Sequence, residues 1–121
     1  MKTWRAQLTA TPWATLDHAY GQATDVPKLI RRLTKAATAE NAAHELWAAV
    51  LHQGSIYSAT APAMTAIAHL LAAGDAAMPA LTAWLLRNFA GAVQNYSGVD
   101  EAAEAQAVAD GEAAAVATLH A

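Results

Sequence analysis

"DVPKLIRRLTKAA", residues 25–37, reads as a helix whose start is marked. Thr24 or Asp25 can cap it. Pro27 falls in the first turn, where the N–H that proline lacks has no intrahelical acceptor to miss. Val26, Leu29, Ile30, Leu33 and Ala37 then recur at helical spacing. A shift of 35 residues carries this stretch onto "TAPAMTAIAHLLA", residues 60–72. Pro27 falls on Pro62, Leu29 on Met64 and Ala37 on Ala72. The same shift carries Leu46 onto Leu81, Val50 onto Leu85 and Leu51 onto Leu86. A helix pair followed by a matching pair is the sequence signature of an α-solenoid, because one pair alone cannot bury its apolar face.

Composition agrees with helices. Of the 121 residues, 35 are alanine, the best helix former and a poor source of buried area. Strands would favour β-branched and aromatic residues instead. The expected fold is all-α, a short right-handed α-solenoid of about five to six helices in one domain spanning residues 1–121. Residues 1–23 are expected as an N-terminal cap segment with a short helix or turn around Trp13–Tyr20. Residues 24–95 hold two helix pairs. The second helix runs from about Ala39 to Gln53 with Gly54 as its C-terminal stop, and Leu46, Trp47 and Val50 on its inner face. The third starts after Thr60, which caps it, turns Met64, Ile67, Ala68 and Leu71 inward, and ends at Gly74. The fourth carries Leu81, Trp84, Leu85 and Phe89. Residues 97–121 form an acidic helix opened by Ser97 and Asp100, with Val108, Val116 and Leu119 inside and a weak middle at Gly111.

Charge is unevenly spread. Residues 1–88 hold all seven Lys and Arg against five acids, whereas residues 89–121 hold five acids and no base. A net charge of −3 does not fit a nucleic-acid binder. The absence of cysteine excludes disulfides, thiolate metal sites and a cysteine nucleophile, and fits a cytoplasmic location. "MKTWRAQLTATPWA" has no continuous apolar run, so a secretory signal is not expected, nor is a membrane span.

"LDHAYGQATDVPKLI", residues 16–30, and "HELWAAVLHQGSIYSATAPA", residues 44–63, resemble the opening repeats of bacterial HEAT-repeat proteins of the actinomycete type. The stretch "HQGSIYSATAP" is the most specific part. The resemblance covers roughly residues 13–75. It implies an armadillo-like helical stack and no catalytic residues. Proteins of this kind usually run through more repeats, so a compact, specialised or truncated member is expected.

The candidate functional residues follow from those motifs. Both carry a His and a Tyr. His18, Tyr20, His52, Gln53, Ser55 and Tyr57 are candidates for a small-molecule binding or enzymatic pocket if the motifs converge. The competing reading makes residues 52–63 a connector: Gly54 ends one helix, Thr60 caps the next, and Tyr57 plugs the gap. No metal site and no cofactor are expected, since His44 and His52 lie about 80° apart around a helix and the zinc spacing H-E-x-x-H is absent. Lys28, Arg31, Arg32 and Lys35 form one basic stripe, either a solvated face or a docking surface for an acidic protein. The chain's own acidic residues Asp100, Glu101, Glu104, Asp110 and Glu112 are one such surface, which would make a head-to-tail homo-oligomer. Trp4 and Trp13 are expected to cap the end of the stack. The leading functional reading is a non-enzymatic protein-interaction module, of the kind an immunity or accessory protein would be, bound to a protein partner. The alternative is a small-molecule binder or enzyme using the His/Tyr pocket.

Overall fold

The structure, a computed structural model, describes residues 3–51, 56–96 and 100–119. Helix α1, Trp4–Ala10, is capped by Thr3, whose hydroxyl accepts the N–H of Ala6 at 3.1 Å. It buries Trp4 and Leu8, four residues apart on one face. Of the short helix or turn expected around Trp13–Tyr20, the turn is what forms. Pro12 opens a single 3₁₀ turn, Trp13–Thr15. A two-residue antiparallel pair follows, β1 (Asp17–His18) with β2 (Gly21–Gln22). Gly21 turns the chain at φ 122°, which a helix would not tolerate.

Helix α2, Val26–Arg32, has Pro27 in its first turn as expected, but stops five residues early. Lys35 takes an extended φ of −123° and opens α3, Ala36–Val50. Thr38 holds this sharp joint by donating to the carbonyl of Arg32 at 2.8 Å. Helix α4 spans Thr60–Ala72. It buries nine side chains spread all round it, among them the expected Met64, Ile67, Ala68 and Leu71. A helix apolar on every side must lie at the centre, and α4 packs against α1, α2, α5 and α6. Gly74 ends it at φ 79°, with Gly74 N–H on Leu71 and Asp75 N–H on Leu70, a Schellman stop.

Helix α5 is Pro79–Tyr96 and α6 is Glu101–Leu119. The inner face of α5 carries Leu85, Leu86 and Phe89, all buried, with Leu81 half-buried against the core. Asp100 caps α6 by accepting the N–H of Ala103, and Glu104 reaches back to accept the N–H of Asp100. Ser97, Gly54 and the side chain of Leu119 lie outside the described residues. Gly111 is buried at a close approach, with room for a Cβ 3.5 Å from Leu86.

Helix α2 packs on α3 and α4 on α5. Between the pairs, α2 touches α4 and α3 touches α5, while α6 lies along α4 and α5. The pairs Leu46/Leu81, Val50/Leu85 and Leu51/Leu86, matched by the sequence shift, all contribute to one core. Burying a leucine-sized side chain is worth about 2 kcal/mol, so these positions dominate the drive to fold.

Three apolar side chains sit elsewhere than expected. Trp47 and Trp84 are 38% and 37% exposed, and Val116 is 54% exposed. The inner stripes that displace Trp47 and Val116 are rich in alanine, Ala39, Ala42, Ala43 and Ala49 on α3, Ala107 and Ala114 on α6, while Leu85, Leu86 and Phe89 hold the inner face of α5 beside Trp84. By contrast Trp4 and Trp13 are buried, at 2% and 6%; Trp4 and Leu8 lie on α1, which covers one side of α4, and Trp13 donates its Nε1–H to the Leu8 carbonyl.

Candidate functional site

The two His/Tyr motifs do meet, through backbone. Asp17 N–H donates to the Ser58 hydroxyl at 2.8 Å, and Ala59 N–H donates to the Asp17 carbonyl at 3.1 Å. Ala19 N–H donates to the Ala49 carbonyl at the end of α3, at 2.8 Å. The β1–β2 turn is thus pinned to both the end of α3 and the entry of α4. Thr60 adds a direct tie. It does not cap α4, because Ala59 holds the capping position. Its hydroxyl donates to the Val50 carbonyl at 2.6 Å and accepts the Tyr57 N–H at 2.9 Å.

Among the described residues, the side chains of His18, Tyr20 and Tyr57 do not share one pocket. His18 is buried, and both ring nitrogens are bonded inside the fold. Nδ1 accepts the Tyr20 N–H at 3.0 Å, so Nε2 carries the proton and donates to Asp25 Oδ1 at 2.8 Å. That bond also explains why Asp25, at the start of α2, makes no capping bond of its own. Tyr20 points outward, 69% exposed, with its ring edge-on to His18. Tyr57 is half-buried and borders a separate cavity of about 270 Å³ with Leu16, Ser58, Pro62, Asp100 and Glu104. Neither His18 nor Tyr20 lines that cavity. His52, Gln53 and Ser55 lie outside the described residues.

The basic stripe is presented to solvent. Lys28, Arg31 and Lys35 are exposed and Arg32 is half-buried. Among the described residues none of the four makes an ion pair. The acidic segment is differently placed. Asp100 and Glu104 serve the start of α6, and Glu104 is only 1% exposed. Asp110 accepts from Gln106 and bonds His69 Nε2 at 3.2 Å. Glu101 and Glu112 are left exposed. Most of the acidic residues offered as a head-to-tail counterpart of the basic stripe are therefore engaged within their own chain.

One polar node had no local signal in the sequence. His69 on α4 links three helices, with Gln7 Nε2 of α1 at 2.7 Å from Nδ1 and Asp110 of α6 on the other nitrogen. Next to it, Trp4 Nε1 donates to Asp75 Oδ2 at 2.8 Å, and the Arg5 guanidinium stacks 4.1 Å from the Trp4 ring. These partners are 41 to 71 residues apart, beyond any spacing rule. Among the described residues no group of three His, Asp or Glu is placed to hold a metal ion. No helix among them is long and apolar enough to cross a membrane.

Compared with known protein families, curated proteins and solved structures, the chain matches none.

Proposed function

We propose that the chain is a non-enzymatic protein-interaction module, a short right-handed HEAT-like stack that works in the cytoplasm as an accessory or immunity-type protein. Its partner is a protein with an acidic surface, which docks on Lys28, Arg31, Arg32 and Lys35. The stack reading is supported by the packing: α2, α4 and α6 lie side by side, as do α3 and α5, as stacked hairpins require. The docking reading rests on one observation. Four cations crowd one edge of an acidic chain with no carboxylate paired to them among the described residues. Like charges so close raise the free energy of the isolated protein, and an acidic partner relieves that repulsion while gaining a steered approach.

The competing small-molecule reading, a pocket near His18, Tyr20, His52, Gln53 and Tyr57, gains no support from His18. Its two nitrogens are spent on Tyr20 and Asp25.

Affinity capture from the source cell, with the wild-type chain and a K28E/R31E/R32E/K35E variant as baits, tests the proposal. A specific acidic protein is expected on the wild type alone. It should elute near 1 M salt, where the screening length falls to about 3 Å. A partner retained equally by both baits would overturn the docking surface.

A further inference from the structure

We infer that a second copy of this chain docks in the groove between α5 and α6, as a two-fold symmetric pair. The groove has a volume of about 370 Å³ and a floor of Leu86, Ala90, Gly111 and Ala115. Leu86 and Gly111 are buried, and Ala90 and Ala115 are half-buried. Ala90, Gly111 and Ala115 keep most of that floor free of large side chains. Val116, at the edge, stands 54% exposed.

The rim charges identify the occupant. Arg87 lies on the α5 wall and Glu112 on the α6 wall, both exposed, and among the described residues neither makes an ion pair. A two-fold axis through the groove sets Arg87 of one copy over Glu112 of the other, and the reverse contact follows by symmetry. The same operation brings each Val116 to the other copy's groove. One surface is thus its own complement in charge and in shape, the condition an isologous interface must meet. The contact closes at two copies. It differs in this from the head-to-tail contact between basic and acidic segments, which would propagate, and whose acidic half is largely engaged within its own chain. A face only two helices wide is at the small end of stable interfaces, so the pair is expected to be a micromolar one.

Sedimentation velocity across the micromolar range tests this with the full chain. Wild type should pass from monomer to dimer. R87E alone and E112R alone set like charges against each other twice and should each weaken the dimer at least about tenfold. An equimolar mixture of the two should form a heterodimer, since both contacts then become attractive. The R87E/E112R double variant should dimerise like wild type. Both positions are exposed, and unchanged far-ultraviolet circular dichroism verifies that the variants are folded. A wild type that stays monomeric, single variants that dimerise unchanged, or a mixture that fails to pair would each overturn the two-fold contact. A dimer lost in K28E/R31E/R32E/K35E and kept in R87E would point to the head-to-tail contact and overturn it as well. This inference is independent of the acidic-partner reading: capture by the basic face survives R87E whether or not the dimer exists.

Discussion

The Thr60 hydroxyl lies 2.6 Å from the Val50 carbonyl, joining the entry of α4 to the last residue of α3 across ten positions of chain. It also accepts the Tyr57 N–H. Thr60 is fully buried and so is its bond to Val50, so that carbonyl has no water as a substitute.

Replacing this residue separates shape from hydrogen bonding. Thr60→Val keeps the volume and unpairs the buried Val50 carbonyl and the part-buried Tyr57 N–H, with an expected loss of about 1–3 kcal/mol. Thr60→Ser keeps both bonds and loses a methyl group, for about 1 kcal/mol. Urea unfolding of the two variants checks the order. If Thr60→Val were the milder change, the tie would be incidental.

His18 is expected to matter for folding rather than for chemistry. His18→Ala removes the acceptor for Tyr20 N–H and leaves a void, at about 2–3 kcal/mol. Asp25→Asn retains an acceptor at a position 55% exposed and should cost under about 1 kcal/mol. A His18→Ala protein as stable as wild type would remove the structural role.

Two glycines should respond with opposite signs. Gly91 lies inside α5 with nothing within 4 Å of an added Cβ, so Gly91→Ala should stabilise by about 0.5–1 kcal/mol. Gly74 ends α4 at φ 79°, and Gly74→Ala should destabilise by about 1 kcal/mol. Thermal melts of both variants test this directly.

Fluorescence distinguishes the four tryptophans. Acrylamide should quench Trp47 and Trp84 readily and Trp4 and Trp13 poorly, given their burial. Trp47→Phe combined with Trp84→Phe should therefore abolish most of the quenchable emission and shift the remainder to the blue. Emission that remained fully quenchable would mean that α1 does not cover α4.

The helices of the two pairs were legible because their signals are local. Pro27 and Gly74 mark ends through backbone constraints, and the stripe Met64, Ile67, Ala68 and Leu71 has the period of a helix. Trp47 and Val116 were misplaced because period alone cannot tell which of two adjacent positions faces the core. Alanine holds the inner positions of both helices instead. The β1–β2 turn was hidden for another reason. His18 holds it through bonds to Tyr20 and Asp25, while Asp17 bonds Ser58 and the turn residue Ala19 bonds Ala49, a register set by tertiary contacts. The groove at Arg87 and Glu112 joins two helices whose mutual rotation no single-helix pattern encodes.

The central claim is that a partner binds on the basic edge, and that the His/Tyr motifs serve as the splice between helix pairs. The amide-exchange footprint of a captured acidic partner tests it most directly. Protection is expected over residues 28–35, with exchange at residues 16–22 and 56–60 unchanged from the free protein. Protection confined to those two motifs, with residues 28–35 unaffected, would contradict it.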